Sequence, residues 1–544
     1  MGQKETDVLI VGGGPTGVTL ALELAVQRIP FRIIDKEPQR SDKSRALGIQ
    51  PRTLELLHRH GDIRKFIARG NLSSGTTFYL NGKKAADIDI SGLAKDTAFP
   101  LMLIISQVET EEYLDECLAK YGFAVERGIE AKTIVQDSEG VTAIISNQDG
   151  VEETVRAKYV VGADGAHSTV RKAATGLTFQ GAAYPQDFIL CDASIRNAKI
   201  PWDRFSLCMG KGSLAVFPLK DGTCRVVVSR VQEANADVEP TLDVFQDMLN
   251  RLHPGAGELY NPTWITQFHL HHRGVNSYRD RRLFVAGDAA HIHSPAGAQG
   301  MNTGIQDSVN LGWKLAKVIR GERPDSLLDS YDRERRPIGQ NLLETSDKMF
   351  TWGCSTNPFF VVFRNLIFSW VLPWFVNSES RRANVYRFIS ELGISYKDSS
   401  AVATASGESR LIVGGDRVPD RKIQNAGRES YFLELLAPDT YHLVLLSGVG
   451  ENTATKETLL EAQSSFKDNS SDKARVHMIF SENDNAATVP GHTDIGNRLH
   501  EDFGCSKPSY VYIRPDSYVE HIGPLSELRG LSDWVQSFKP TPKG

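Results

Sequence analysis

The chain has 544 residues, of which 40% are hydrophobic, 24% charged and 8% aromatic. That length exceeds one hydrophobic core, so two to four structural units are expected. A net charge of −5 with scattered basic residues excludes the electrostatic footprint of a nucleic-acid binder. Six cysteines without a CxxC pair indicate neither a disulfide framework nor a zinc site, and a reduced, cytoplasmic setting is expected.

The first residues, Met1 to Asp7, are charged where a signal peptide needs an apolar stretch. Gly2 and Thr6 also fit the loose myristoylation pattern, which short sequences meet by accident. Val8–Val11 is an apolar run followed by Gly12-Gly13-Gly14-Pro15-Thr16-Gly17, which fits G-x-G-x-x-G. In that pattern one glycine makes the turn, one admits a pyrophosphate to the backbone and one lets helix and strand pack closely. A helical stretch from Thr16 to Arg28 and a second apolar run, Phe31–Ile34, complete a βαβ opening. Asp35, ending that run, is placed to accept hydrogen bonds from a ribose. The pattern predicts dinucleotide binding and does not separate FAD from NAD.

Helical periodicity returns at 53–60 and 109–121. Alternating runs and turns predict a meander over 123–163 and an antiparallel sheet from about Asp187 to Arg230. A buried strand then ends in Gly287-Asp288, followed by Pro295-Ala-Gly297-Ala-Gln-Gly300-Met301-Asn302 and a helix to about Arg320. In flavoprotein hydroxylases, which this stretch resembles, backbone amides at such a helix start face the pyrimidine ring of the flavin, and the helix dipole would stabilise its anionic reduced form. An NAD dehydrogenase has no use for this second site. Phe359–Val376 is apolar but interrupted by Arg364, Asn365 and Pro373, so an interface helix is expected there and not a membrane span. Ser399–Ser409 reads as a linker, and the strands and helix beyond it as a small α/β unit.

Between the two motifs lies Gly162-Ala-Asp164-Gly165-Ala-His-Ser168-Thr-Val-Arg171. It resembles the DGxxSxVR fingerprint of the class A FAD-dependent aromatic hydroxylases, the phenol and polyketide hydroxylases among them. The span from about residue 5 to 345 is similar to that family. The tail resembles the family's thioredoxin-like C-terminal domain at Gly415–Asp420 and Ile513–Asp516, without CxxC. The resemblance implies an α/β fold with a Rossmann-like FAD-binding domain at 1–176 and 281–345. It further implies an inserted antiparallel substrate domain at 177–280, a helical, interface-forming segment at 346–398 and a thioredoxin-like domain at 408–544. It implies cofactor contacts from Gly12, Gly14, Pro15, Thr16, Gly17, Asp35, Lys36, Arg45, Gln107, Asp164, Asp288, Pro295, Gly297, Gly300, Met301 and Asn302.

The activity so implied is hydroxylation of an aromatic substrate with O2 and NAD(P)H through a flavin C4a-hydroperoxide, by a homodimer. Baeyer–Villiger oxidation or epoxidation on the same scaffold, and a non-catalytic flavin-binding protein, are the alternatives. Phe217 and Pro218 are candidate substrate walls, and no general base is named. His269, His271 and His272 lack a third ligand at suitable spacing, so no metal is expected. Ala298 stands where many relatives carry glycine, which is tolerated if its φ is negative.

Overall fold

The computed structural model describes residues 4–42, 46–90, 95, 97–210, 212–230, 240–293, 298–354, 378–404, 411–425, 427–451, 453–469, 474–482 and 491–537. The opening apolar runs become strand β1 (Lys4–Val11), helix α1 (Pro15–Val26) and strand β2 (Phe31–Asp35). Pro15 occupies the first helical turn, where its missing N–H is no loss. Strand β1 lies between Phe31–Asp35 and Glu152–Gly162, parallel to both, and Leu283–Val285 pairs parallel with the far side of Glu152–Gly162. The predicted meander is present as Ile129–Gln136, Val141–Asn147 and Glu152–Gly162. The Gly300–Ile319 helix crosses α1 at small residues. A side chain at Gly304 would meet Thr16 Oγ1 at 2.4 Å, and one at Gly312 would meet Glu23 Cβ at 2.5 Å.

The second sheet runs in the order His291–Ile292, Glu258–Val275, Phe179–Arg196, Thr223–Arg230, Gly212–Pro218, Phe205–Gly210, Gly75–Leu80 and Lys83–Asp89. The hairpin 75–89 falls within the segment assigned to the first unit, yet Phe205–Gly210 hydrogen-bonds to it in parallel. Short alternating strands do not state which sheet they join, so the pattern had no power there. The division at residue 345 falls inside a continuous helix, Asp329–Cys354. The apolar stretch Phe359–Val376, expected to be an interface helix, lies outside the described residues. Among those described, no helix is long and apolar enough to cross a membrane.

One face of the second sheet packs on the Leu242–Leu252 helix through Cys191, Val216, Val226, Phe245 and Leu249. The opposite face carries Phe205 and Phe217, which pack on Leu47, Met102 and Ile104 of the nucleotide-binding half. A third, mixed sheet forms from the tail, ordered Ala403–Thr404, Val519–Pro524, Ser509–Ile513, His442–Leu446, Arg475–Ser481, His492–Asp494, Lys422–Asn425 and Arg428–Tyr431. Its first strand falls in the stretch expected to be linker. Leu459, Phe466, Leu531 and Val535 of two helices cover one of its faces.

A cofactor cleft at the carboxyl edge of the first sheet

Strand register brings the scattered motifs together. Ile34, Val11, Gly162 and Val285 form one row across the first sheet. The row is closed by hydrogen bonds from Gly12 N to Ile34 O (2.8 Å), Ala163 N to Val11 O (2.8 Å) and Ala286 N to Gly162 O (2.9 Å). The residues that follow the row are Asp35, Gly12, Asp164 and Asp288. All four leave the sheet at its carboxyl edge, where open α/β sheets bind ligands.

The three motif glycines separate by function. Gly12 has φ +110°, and a Cβ there would sit 2.3 Å from Ala163 O. A Cβ at Gly17 would lie 1.9 Å from Gly12 O, so this glycine lets α1 close onto β1. A Cβ at Gly14 would meet nothing within 4 Å. The fold does not need glycine at that position, and the open space beside it is what a pyrophosphate would require. Gly14 caps α1 without a side-chain hydrogen bond, leaving first-turn N–H groups for an anion. Asp35 accepts from Gly13 N (2.6 Å) and Glu37 N (2.8 Å), which orients its carboxylate and leaves acceptor capacity for a ribose. Lys36 is exposed beside Glu37.

Asp164 accepts from Thr169 N at 2.6 Å through one oxygen, while its other oxygen is buried without a partner. Burial raises its carboxyl above the ordinary range. Arg171, from the same fingerprint, donates to Ala289 O (2.8 Å) and so ties the fingerprint to the residue after Asp288. The Asp288 side chain is open to solvent, yet desolvation by surrounding protein raises its carboxyl. Gly300, Met301 and Asn302 form the first turn of their helix, with no side-chain cap on Gln299. Gln107 begins the Gln107–Ala119 helix and donates to Glu111 (2.7 Å).

The Asn302 side chain is fully occupied in scaffolding. It accepts from Gln50 N (2.8 Å) and donates to Gly48 O (3.2 Å) and Ala298 O (2.8 Å), so both of its amide hydrogens are spent on the scaffold. Ala298 has φ +52°, against the expected negative value. The turn into the helix imposes the left-handed region, and alanine is strained there. Arg45, Pro295 and Gly297 lie outside the described residues.

Sequence reasoning missed the buried polar framework behind the cleft. Asp307 accepts from Gly287 N (3.1 Å), His291 Nε2 (3.0 Å) and Arg335 Nε (2.7 Å), and Arg335 holds the carboxyl below its usual range. Glu391, at φ +61°, accepts from Thr303 (3.2 Å) and Gln306 (2.5 Å), and burial pushes its carboxyl up to about 8. The tail reaches the same helix, since Trp313 Nε1 donates to Asp516 at 3.0 Å. Arg417, from the other tail motif, pairs with Glu55 at 3.0 Å, and Arg52 donates to Asp516 O at 2.9 Å. The Arg-Pro-Asp run at 514–516 was the visible signal, but its partners are hundreds of positions away.

The family model for the FAD binding domain matches residues 5–346. The chain is 38% identical over 344 residues to an aromatic compound monooxygenase of Bacillus subtilis (strain 168), covering 63% of this chain and 67% of that one. It is 39% identical over 344 residues to 6-methylpretetramide 4-monooxygenase of Streptomyces rimosus, covering 62% of this chain and 60% of that one. Sequence similarity thus spans 60–67% of the length of these two relatives. The solved structure of OxyS anhydrotetracycline hydroxylase from Streptomyces rimosus matches with a TM-score of 0.75 at 28% identity. That match covers 99% of this chain and 100% of the other.

Proposed function

This chain belongs to the FAD binding domain family, as one of the FAD-dependent aromatic hydroxylases, and on that premise we propose that it is an NAD(P)H-consuming monooxygenase. Its substrate is a phenolic or polyketide-type aromatic ring, and the product carries one oxygen atom of O2. The observation that carries this reading is the single row Ile34–Val11–Gly162–Val285, which delivers Asp35, the Gly12–Gly17 turn, Asp164 and Asp288 to one cleft.

In this reading the first-turn amides of α1 bind the pyrophosphate, Asp35 the ribose and Asp288 the ribityl side of FAD. The start of the Gly300–Ile319 helix faces the ring system, where its dipole favours negative charge. FAD, when bound, supplies the two-electron chemistry that activates oxygen. The protein orients the substrate against the open face of the second sheet and excludes water. Segments 1–176 and 281–345 hold the cofactor, apart from the 75–89 hairpin, which belongs with the 177–280 sheet. The third unit is a thioredoxin-like domain without redox cysteines that braces the cofactor half.

The test is oxidation of NADH and NADPH by FAD-loaded protein across a broad panel of phenols, with 18O2 incorporation read by mass spectrometry. Stimulated oxidation with one labelled oxygen in the product is expected. No stimulation by any phenol would count against the reading.

A further inference from the structure

The Gly287-Asp288 turn is held from behind by a carboxylate on another element. Asp307, two turns into the Gly300–Ile319 helix, is fully buried. Its Oδ2 accepts from Gly287 N at 3.1 Å and from His291 Nε2 at 3.0 Å. A carboxylate can only accept, so the His291 ring donates from Nε2. These two donors are the first and last residues of the turn. Between them the Asp288 side chain is exposed and makes no hydrogen bond among the described residues. Within the turn Ala290 N donates to Gly287 O (2.8 Å), and from outside Arg171 reaches Ala289 O (2.8 Å) and Val275 N reaches Ala290 O (2.9 Å). Those bonds fix the middle of the turn, and Asp307 fixes its ends.

The other oxygen of Asp307, Oδ1, accepts from Arg335 Nε at 2.7 Å, with both side chains 0% exposed. Arg335 is in turn anchored on the Tyr396 hydroxyl (3.1 Å) and Thr303 O (3.1 Å). Burial opposes the charge on Asp307, but Arg335 and His291 keep its carboxyl below the usual range, so it remains a pure acceptor at neutral pH. A buried ion pair seldom adds net stability over apolar side chains of the same size. Here the pair has a geometric output, since it locks both ends of the turn that carries an unpartnered carboxylate into the cleft.

We propose, resting on the cofactor reading above, that Asp307 is a positioning residue for FAD, which holds the turn so that Asp288 meets the ribityl hydroxyls in one fixed orientation. Arg335 keeps Asp307 ionised and aimed. The affinity lies in the contact made by Asp288, and the preorganisation that makes it effective lies one element behind.

A double-mutant cycle on FAD affinity tests this, with dissociation constants read from quenching of FAD fluorescence on titration into the full-length apoprotein. Urea midpoints of each apoprotein are measured alongside. Asp307→Asn keeps the volume but turns an acceptor oxygen into an N–H group that faces other donors. It is expected to weaken FAD binding about tenfold or more, the size of one charge-assisted hydrogen bond. In an Asp288→Ala background the same change should cost less than about threefold, because residues that act through one another are not additive. Equal weakening in both backgrounds would make Asp307 a general brace of the fold and overturn the proposal. No weakening in either would overturn it too. Should Asp307→Asn fail to fold with Arg335 left unpaired, Asp307→Asn/Arg335→Met removes both charges together, and the same dependence on Asp288 is expected of it. A cycle that behaves as expected in a protein that oxidises no NAD(P)H with any phenol would count against the hydroxylase reading alone. An additive cycle in an active hydroxylase would count against Asp307 alone, and a wild type that binds no FAD would overturn both.

Discussion

Glu334 and Arg514 face each other across the seam between the Asp329–Cys354 helix and the tail unit, both fully buried and joined by hydrogen bonds of 2.8 and 2.9 Å. Glu334 also accepts from Lys314 (2.7 Å), Asn310 (2.7 Å) and Ser399 (2.7 Å). Five donors on one carboxylate hold it far below the usual range, and burial lowers the Lys314 amine to about 8. Removing one partner of such a network leaves a buried charge without its counterpart. Arg514→Met is expected to cost about 3–5 kcal/mol, read as a lower urea midpoint, whereas exposed Lys36→Ala stays within about 0.5 kcal/mol.

Two of the three motif glycines predict opposite outcomes. Gly17→Ala forces a Cβ to 1.9 Å from Gly12 O and should unfold the first unit. Gly14→Ala has open space and should melt like the wild type while binding FAD at least about tenfold more weakly, by obstructing the pyrophosphate. Melting of the apoprotein and titration with FAD fluorescence separate the two effects. Equal FAD affinity in Gly14→Ala would remove that glycine from the cofactor site.

Ala298 is strained, so glycine should be better there. Relief of about 1–2 kcal/mol of left-handed strain exceeds the roughly 0.4–1 kcal/mol of extra chain entropy that glycine loses on folding. Ala298→Gly is expected to raise stability by about 0.5–1 kcal/mol, measurable as a higher melting temperature.

The tail unit should be acid-labile. His442 Nδ1 and His477 Nε2 are 2.9 Å apart, and the His477 ring lies tilted beside His492 with centroids at 6.0 Å. Burial lowers His442 to about 4, and burial with its neighbours' charge lowers His477 to about 3. Both are depressed below the ordinary value of 6.5, so the unfolded chain takes up protons first as pH falls. The stability they contribute is complete above about pH 6.5 and is lost as pH drops toward 4 and 3. For His442 alone the loss by pH 4.5 is on the order of 2–3 kcal/mol. His442→Gln should flatten the fall in urea midpoint between pH 7 and 4.5.

Much of the cleft was legible because the βαβ opening carries several signals at once. Strand pattern, glycine spacing, Pro15 and the terminal acid all agree. Gly287-Asp288 was equally plain, since a short buried strand before a long periodic helix admits few readings. Other features had no local signature. The 75–89 hairpin chooses its sheet by tertiary pairing, and the Asp307 carboxylate gathers Gly287, His291 and Arg335 at separations no periodicity links. The strain at Ala298 follows from the path of the chain into its helix, which composition does not report. The Gly415–Asp420 and Ile513–Asp516 runs were recognisable as motifs, but only the folded chain shows that Arg417, Arg514 and Asp516 seal the seam.

That seam has a consequence for synthesis on the ribosome. Arg52 meets Asp516 O, and Arg59 meets Pro515 O, across 464 and 456 positions of chain. At about 5–20 residues per second, the early arginines wait roughly 25–90 s for those acceptors to be translated. Until then Arg52 and Arg59, whose side chains end buried, have only Glu55 and Glu23 to answer them. The nascent nucleotide-binding half is therefore expected to be open to proteolysis on its tail-facing side, which pulsed proteolysis of stalled chains would check. Synthesis of the 515–516 acceptors, and not of the N-terminal half alone, is what would close it.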